Sequence, residues 1–197
     1  MSRPRGEAPA GRRRAALIVF ALIAGTVAVS DQLLKSWVVS PASGFKENIP
    51  SPIIGDWLRI DLIHNAGGLF GLFQGSAPVF AVITVGVVAV LLAMEVGSGW
   101  RSWLVTITLG LLLGGAMGNF IDRYHQKYVT DFVDIGIGTS RFYIFNVADS
   151  AVTLAMILMI VVWFVAPHLG VQMPPEKDDA AGRMAKDADE ASKLRVG

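Results

Sequence analysis

Between Gly114 and Ser150 the chain reads GGAMGNFIDRYHQKYVTDFVDIGIGTSRFYIFNVADS, with Asn119, Asp122, Arg123, Asp131, Asp134, Asn146 and Asp149 set among glycines and apolar side chains. Long apolar runs flank this stretch, and ionisable groups at membrane level are costly enough to mark function by default. Two aspartates on separate elements, brought together at a partly dry interface, suit acid–base chemistry on a peptide bond. When they share one proton, the ionised carboxylate activates water while the protonated one donates to the carbonyl oxygen. Such a pair titrates as a unit with two apparent pKa values.

Competing chemistries find less support. Cysteine is absent, which excludes a disulfide framework, a thiolate nucleophile and a thiolate metal site. His64, His125 and His168 are scattered singly with no H-E-x-x-H, so neither a metal nor another cofactor is expected. Gly97-Ser98-Gly99 reads as a turn rather than a serine-protease fragment. A Ser–Lys pair built from Ser30 or Ser36 with Lys35 stays open, although it leaves the aspartates unexplained. The net charge of +1 gives no support for a nucleic-acid partner.

The elements that must position these residues are membrane spans. Of the 197 residues 53% are hydrophobic, and the charges gather at the two ends and in short connectors. Residues 1–14, with Arg3, Arg5, Arg12, Arg13 and Arg14, read as a disordered basic tail. Spans are expected at about 15–39, 78–96, 103–121 and 145–165, each long enough for a hydrocarbon core of roughly 30 Å. Pro167 ends the last, and residues 168–197 form a second disordered tail. Within the third span, Gly110, Gly114, Gly115, Ala116 and Gly118 let helix backbones approach closely. Ala28-Val29-Ser30 also resembles a signal cleavage site, but apolar character resumes at Leu33, Leu34, Trp37, Val38 and Val39, as in a retained helix.

In the connector 40–77, Leu58-Arg59-Ile60-Asp61-Leu62 alternates with period two and reads as a strand. Asn65-Ala66-Gly67-Gly68 supplies a turn, and Leu69, Phe70, Leu72 and Phe73 form an apolar patch that returns as a strand or lies on the membrane. Of the 17 Lys and Arg, 11 fall in the two tails and the loop after the second span, and 5 in the connectors 40–77 and 122–144. Lys35 lies inside the first span. The positive-inside rule therefore puts both termini in the cytoplasm and both connectors outside.

With that topology Asp31, Asn65, Asn119, Asp122, Arg123, Asp131, Asn146 and Asp149 converge on the outer interface. Plainer roles compete for each. Asp31 and Lys35, spaced i, i+4, can neutralise each other. Asp122 and Arg123 can be charges at a helix end. Asn146 can cap the fourth helix, where the macrodipole favours Asp149. Asp134 is taken as an exposed loop charge.

Five motifs along residues 15–167 resemble signal peptidase II, the bacterial lipoprotein signal peptidase family of membrane aspartic peptidases. They are Asp31-Gln32 with Lys35, Asn65-Ala66-Gly67 with Phe70, Gly114-Gly115-Ala116 through Gly118-Asn119 to Ile121-Asp122-Arg123, Val129-Thr130-Asp131-Phe132, and Phe145-Asn146-Val147-Ala148-Asp149. The resemblance implies an all-α membrane protein of four transmembrane helices with a small β-rich extracytoplasmic element. It implies Asp131 and Asp149 as the catalytic dyad, with Asn65, Gly67, Asn119, Asp122, Arg123, Asn146 and Ala148 supporting the site or substrate, and Asp31 and Lys35 stabilising the fold. The implied substrate is a diacylglyceryl-modified prolipoprotein cut immediately before its lipidated cysteine. The implied setting is the bacterial inner membrane with its lipids, and peptide antibiotics such as globomycin are the implied inhibitors. Gly68-Leu69 departs from the two alanines usual in the family. The alternative from a different class is a small proton-coupled transporter or channel component, which would carry polar residues through the whole membrane depth.

Overall fold

A computed structural model of the chain describes residues 10–67, 77–97 and 103–165. Four helices and four strands follow in the order α1 (Ala10–Val39), β1 (Ser51–Ile54), β2 (Leu58–Asn65), α2 (Ala77–Gly97), α3 (Trp103–Gln126), β3 (Val129–Ile137), β4 (Ser140–Arg141) and α4 (Val147–Val165). Residues up to Ile160 form one compact unit and Val161 opens a second. All contacts described below lie in the first.

Two of these helices, over Gly11–Val39 and Trp103–Gln126, are long and apolar enough to cross a membrane. In α2 and α4 the apolar stretches are shorter, Val82–Ala93 and Val147–Val161. Large apolar side chains face outward along them, among them Leu22 and Leu33 on α1, Val82 and Val90 on α2, and Ile157 and Ile160 on α4. Such a surface is favourable against lipid and unfavourable against water.

Two boundaries differ from the sequence expectation. Helix α1 begins at Ala10, so Arg12, Arg13 and Arg14 are its first turns and not part of an irregular tail. Arg and Ala are good helix formers, and nothing before Pro41 interrupts the helix, which passes unbroken through Ala28-Val29-Ser30. Helix α3 continues past Ile121 to Gln126, so Asp122 and Arg123 are helical. It stops at Lys127, whose φ of 69° is the left-handed conformation that closes helix ends. The two tails beyond 10 and 165, the turn at Ser98-Gly99 and the patch Leu69–Phe73 with Gly68 fall outside the described residues.

Helix α3 packs closely on its neighbours because it lacks side chains where they approach. A Cβ at Gly118 would lie 2.6 Å from Asp31 Oδ2 and 3.1 Å from Ala148 Cβ, and one at Gly115 would lie 2.6 Å from the Ala148 carbonyl oxygen. Small residues thus bring α1 and α4 against the same end of α3.

The strands form one antiparallel sheet in the order β1-β2-β3-β4. β2 is the alternating strand expected at Leu58–Leu62, extended to Asn65. β3 carries no such alternation because both of its faces are covered: Val129, Thr130, Asp131, Phe132 and Asp134 are all buried. Asp134 is therefore not an exposed loop charge. Its carboxylate accepts from Arg141 Nε at 2.6 Å and Arg59 Nε at 3.0 Å. The register of β2 on β3 shifts by a bulge between Ile60 and Ile63, so that Ile63 faces Asp131 and Asn65 faces Val129. Asn65 then sits diagonally from Asp131 on one face of the sheet. A small core of Val38, Leu62 and Phe132, with Phe45, Ile60, Val133 and Val147 around it, joins the end of α1 to the sheet and to the start of α4.

Candidate active site at the junction of helices and sheet

The segment before α4 is held on β3 by backbone pairing. Phe145 donates to the Val133 carbonyl at 3.1 Å and its own carbonyl accepts from Val133 at 2.8 Å. This places Asn146 where β3 and α4 meet. Its Oδ1 accepts the backbone N–H of Asp149 at 2.9 Å, while Asp149 Oδ2 accepts the backbone N–H of Asn146 at 3.3 Å. The two residues thus form a reciprocal cap on α4 with an aspartate in the third position. The helix cap expected of Asn146 is present, and the same residue also reaches Asp131.

Asp131 and Asp149 meet around three asparagine amides whose orientation the surroundings fix. Asn65 Oδ1 accepts the N–H of Gly67 at 3.0 Å, which turns its Nδ2 to Asp131 Oδ2 at 3.0 Å. Asn146, with its oxygen on the Asp149 N–H, turns Nδ2 to Asp131 Oδ1 at 2.6 Å. Asn119 Oδ1 accepts from Lys35 Nζ and from Asn146 Nδ2, each at 3.1 Å, and its Nδ2 donates to Asp149 Oδ1 at 2.8 Å. A backbone N–H or an ammonium can only donate, so the carboxylates face the NH2 end of each amide. Asp131 is only 2% exposed. Burial first, and then the charge of Asp149, push its carboxyl up to about 7, against the hydrogen bonds from Asn65 and Asn146 and the charge of Lys35. Near neutral pH one proton is therefore readily kept on this group.

Behind the pair lies a second polar layer. Lys35 Nζ stands 2.7 Å from Asp31 Oδ2 and 2.9 Å from Asp122 Oδ2. Asp31 Oδ1 accepts the N–H of Ala148 at 2.9 Å, Asp122 Oδ2 accepts the N–H of Thr130 at 3.0 Å, and Gln32 Nε2 donates to Asp122 Oδ1 at 2.9 Å. Asp31 and Lys35 do pair along α1, but they also tie it to α3 and α4, and Asp122 is not merely a charge at a helix end. Arg123 donates to the Gly67 carbonyl at 3.3 Å and to the Asn119 carbonyl at 3.4 Å, which links the turn after β2 to α3. Its charge acts on Asp149, Asp131 and Asp122. Ala148 is fully buried, with its methyl against Gly118.

The structure thus brings all eleven residues singled out from the sequence to one junction. Gln32 and Thr130 belonged to the motifs without a separate role, and both prove to hold Asp122. Tyr143 was not singled out. Burial, and then the charge of Asp149, raise its hydroxyl above the ordinary value. Nothing in its spacing marks it, because it lies in an irregular segment. Among the described residues no group of His, Cys, Asp and Glu is arranged to hold a metal ion.

The chain is 41% identical over 150 residues to a lipoprotein signal peptidase of Geobacillus kaustophilus, a match spanning 75% of this chain and 96% of that one. It is 39% identical over 155 residues to the lipoprotein signal peptidase of Geobacillus thermodenitrificans, covering 78% of this chain and 95% of that one. A bacterial membrane enzyme solved in meso at 2.3 Å resolution superposes with a TM-score of 0.68 at 29% identity, over 80% of this chain and 93% of its own. A profile described as signal peptidase (SPase) II matches residues 23–165, and the chain belongs to that family.

Proposed function

We propose that the chain removes the signal peptide from diacylglyceryl-modified prolipoproteins, cutting immediately before the lipidated cysteine, with Asp131 and Asp149 as its catalytic dyad. The observation that carries this reading is the convergence of two carboxyl groups, one on β3 and one on α4, on a single residue, Asn146, whose side-chain NH2 donates to Asp131 and whose backbone N–H donates to Asp149. Asp149, at the N-terminus of α4, is the ionised member and Asp131 the protonated one. Asp149 takes a proton from a water molecule as its oxygen adds to the peptide carbonyl carbon, and Asp131 gives its proton to the carbonyl oxygen. Collapse of the tetrahedral species returns a proton to Asp131, delivers the other to the departing amine and breaks the C–N bond. Asn65, Asn119 and Asn146 hold the two carboxyls, and Gly67, Asp122, Arg123 and Ala148 hold the asparagines and the turn around them.

Four spans, with both termini in the cytoplasm and the sheet on the outer face of the inner membrane, give this site its depth. The apolar outward faces of α1, α2 and α4 and the arginine-rich start of α1 support that topology. It brings the site to the level where a lipid-anchored peptide bond enters, and where a peptide antibiotic such as globomycin would compete. The transport reading gains no support, since the family and the relatives are peptidases by name. Incubation of the purified chain with a diacylglyceryl-modified precursor and its unlipidated form, followed by mass spectrometry, tests the proposal. Cleavage before the cysteine in the lipidated form is expected; equal cleavage of both forms, or of neither, would sink it.

A further inference from the structure

Lys35 has two contacts that a purely structural ion pair explains, those to Asp31 and Asp122. Its third, to Asn119 Oδ1 at 3.1 Å, is not needed to neutralise anything. The amide oxygen of Asn119 takes this charged donor beside the neutral Asn146 Nδ2, whereas the oxygens of Asn65 and Asn146 accept backbone N–H groups. The other end of the Asn119 amide is the donor to Asp149 Oδ1, at 2.8 Å. An ammonium has three donors and no acceptor, so Asn119 can present only its oxygen to Lys35 and only its NH2 to Asp149.

We propose that Lys35 is a positioning residue for catalysis: by locking the Asn119 amide it holds Asp149 as a hydrogen-bond acceptor, and so decides which aspartate of the dyad is the base. The inference rests on the dyad reading above. Without the ammonium, Asn119 Oδ1 keeps only the neutral donor Asn146 Nδ2; an Asn119 that turns over offers its oxygen to Asp149 Oδ1, and a carboxyl oxygen facing it pairs with it by carrying a proton. The base would then be occupied by the proton it has to accept. The other charged and titratable groups facing Asp149 do not replace the lock. Asp31 on α1, Asp122 on α3 and Asp131 on β3 are acids, Tyr143 precedes α4, and Arg123 on α3 donates to the backbone carbonyl of Asn119 and not to its amide oxygen. Buried behind the dyad, Lys35 thus acts on it by its charge and through one amide.

The test is the pH–rate profile for cleavage of the lipidated precursor by the full chain in detergent micelles. Lys35→Met alone leaves Asp31 and Asp122 uncompensated, so it is paired with Asp122→Asn, which keeps an oxygen for the N–H of Thr130 and preserves the net charge of the layer. The expected result is an acid limb moved to higher pH by about one unit or more, as befits loss of a hydrogen-bond donor to the ionised carboxylate. Lys35→Arg keeps the charge and the donors, and should return the limb towards its original place even where its bulk lowers the melting temperature. A folded Lys35→Met/Asp122→Asn protein with both limbs unmoved overturns the proposal, whatever its stability. If that protein does not fold, the unmutated chain decides: the side-chain NH2 resonances of Asn119 should follow the acid limb on titration, and resonances that stay fixed across it overturn the lock. Asp131→Asn and Asp149→Asn are assayed beside these. Activity in either would remove the dyad itself, an outcome distinct from a dyad that works without Lys35.

Discussion

Asp131→Asn should abolish cleavage and yet make the protein relatively more stable as the pH rises. In the folded chain the Asp131 carboxyl is pushed from its ordinary value of 3.8 to about 7. A raised carboxyl holds a proton in the folded state that the unfolded chain has already released, so its contribution is fully present below about pH 4 and is lost as the pH rises through about 7. Ionising it in the folded state costs on the order of 4 kcal/mol more than in the unfolded chain, and about 2 to 3 kcal/mol of that falls between pH 5 and pH 8. Asparagine stays neutral throughout. It also puts an NH2 against one of the two donors that now serve Asp131, Asn65 or Asn146, a loss of about 1 to 3 kcal/mol that does not depend on pH. The variant should therefore be the weaker protein at about pH 5 and draw level with the wild type, or pass it, by about pH 8. For a chain of this size the difference in melting temperature should swing by roughly 4 to 12 °C over that range. Thermal unfolding of both proteins in the same detergent, at a series of pH values, measures it. A difference that stays constant, or that swings the other way, would refute the argument that Asp131 is a costly buried carboxylate.

Other consequences follow from the packing and the dyad. The cleavage rate should be bell-shaped in pH, with activity falling on the alkaline side as the pH passes through about 7 and Asp131 loses its proton; a rate that rises through that region would speak against Asp131 as the acid. Gly118→Ala places a methyl 2.6 Å from Asp31 Oδ2, so α1 and α3 must part, at about 1 to 3 kcal/mol by overpacking. A lower melting temperature and reduced cleavage are expected, and an unchanged protein would show that the helices have room to give. Asp134→Ala removes the buried acceptor of Arg59 Nε and Arg141 Nε and leaves both arginines on Asp56, which should cost about 1 to 3 kcal/mol and speed amide exchange along β2 and β3 more than along α3; uniform exchange would contradict a local role.

The helical part of the fold was legible because long apolar runs and clustered glycines report directly on what helices do in lipid. β2 was legible because its apolar and polar residues alternate, although only Leu62 is buried and most of the strand is half-buried on both faces. β3 was not. Its buried aspartates disfavour a strand by propensity, and a segment covered on both faces loses the period that would betray it. Asp134 went astray with it, since its burial depends on Arg59 and Arg141, the first of which arrives from a connector 75 residues earlier. The charged candidates stood out because charge in an apolar setting is conspicuous, whereas Gly67, Ala148 and the choice of Asp131 and Asp149 as the dyad came only from the family resemblance. What spacing could not convey is how they divide. Asn146 serves both aspartates, Asn119 joins Asp149 to Lys35, and Gly67 matters through both its N–H and its carbonyl. Those links run between helices and sheet, and no local pattern encodes them.

The central claim is that Asp131 and Asp149 together cut the lipidated precursor. Its most direct test is the cleavage rate of Asp131→Asn and Asp149→Asn, each purified, shown to be folded by its melting transition, and supplied with a diacylglyceryl-modified precursor beside the wild type. Losing the acid or the base of a shared-proton pair should lower the rate by a factor of at least ~100, the lower end of what a positioned acid or base contributes. Near-wild-type cleavage by either folded variant would contradict it.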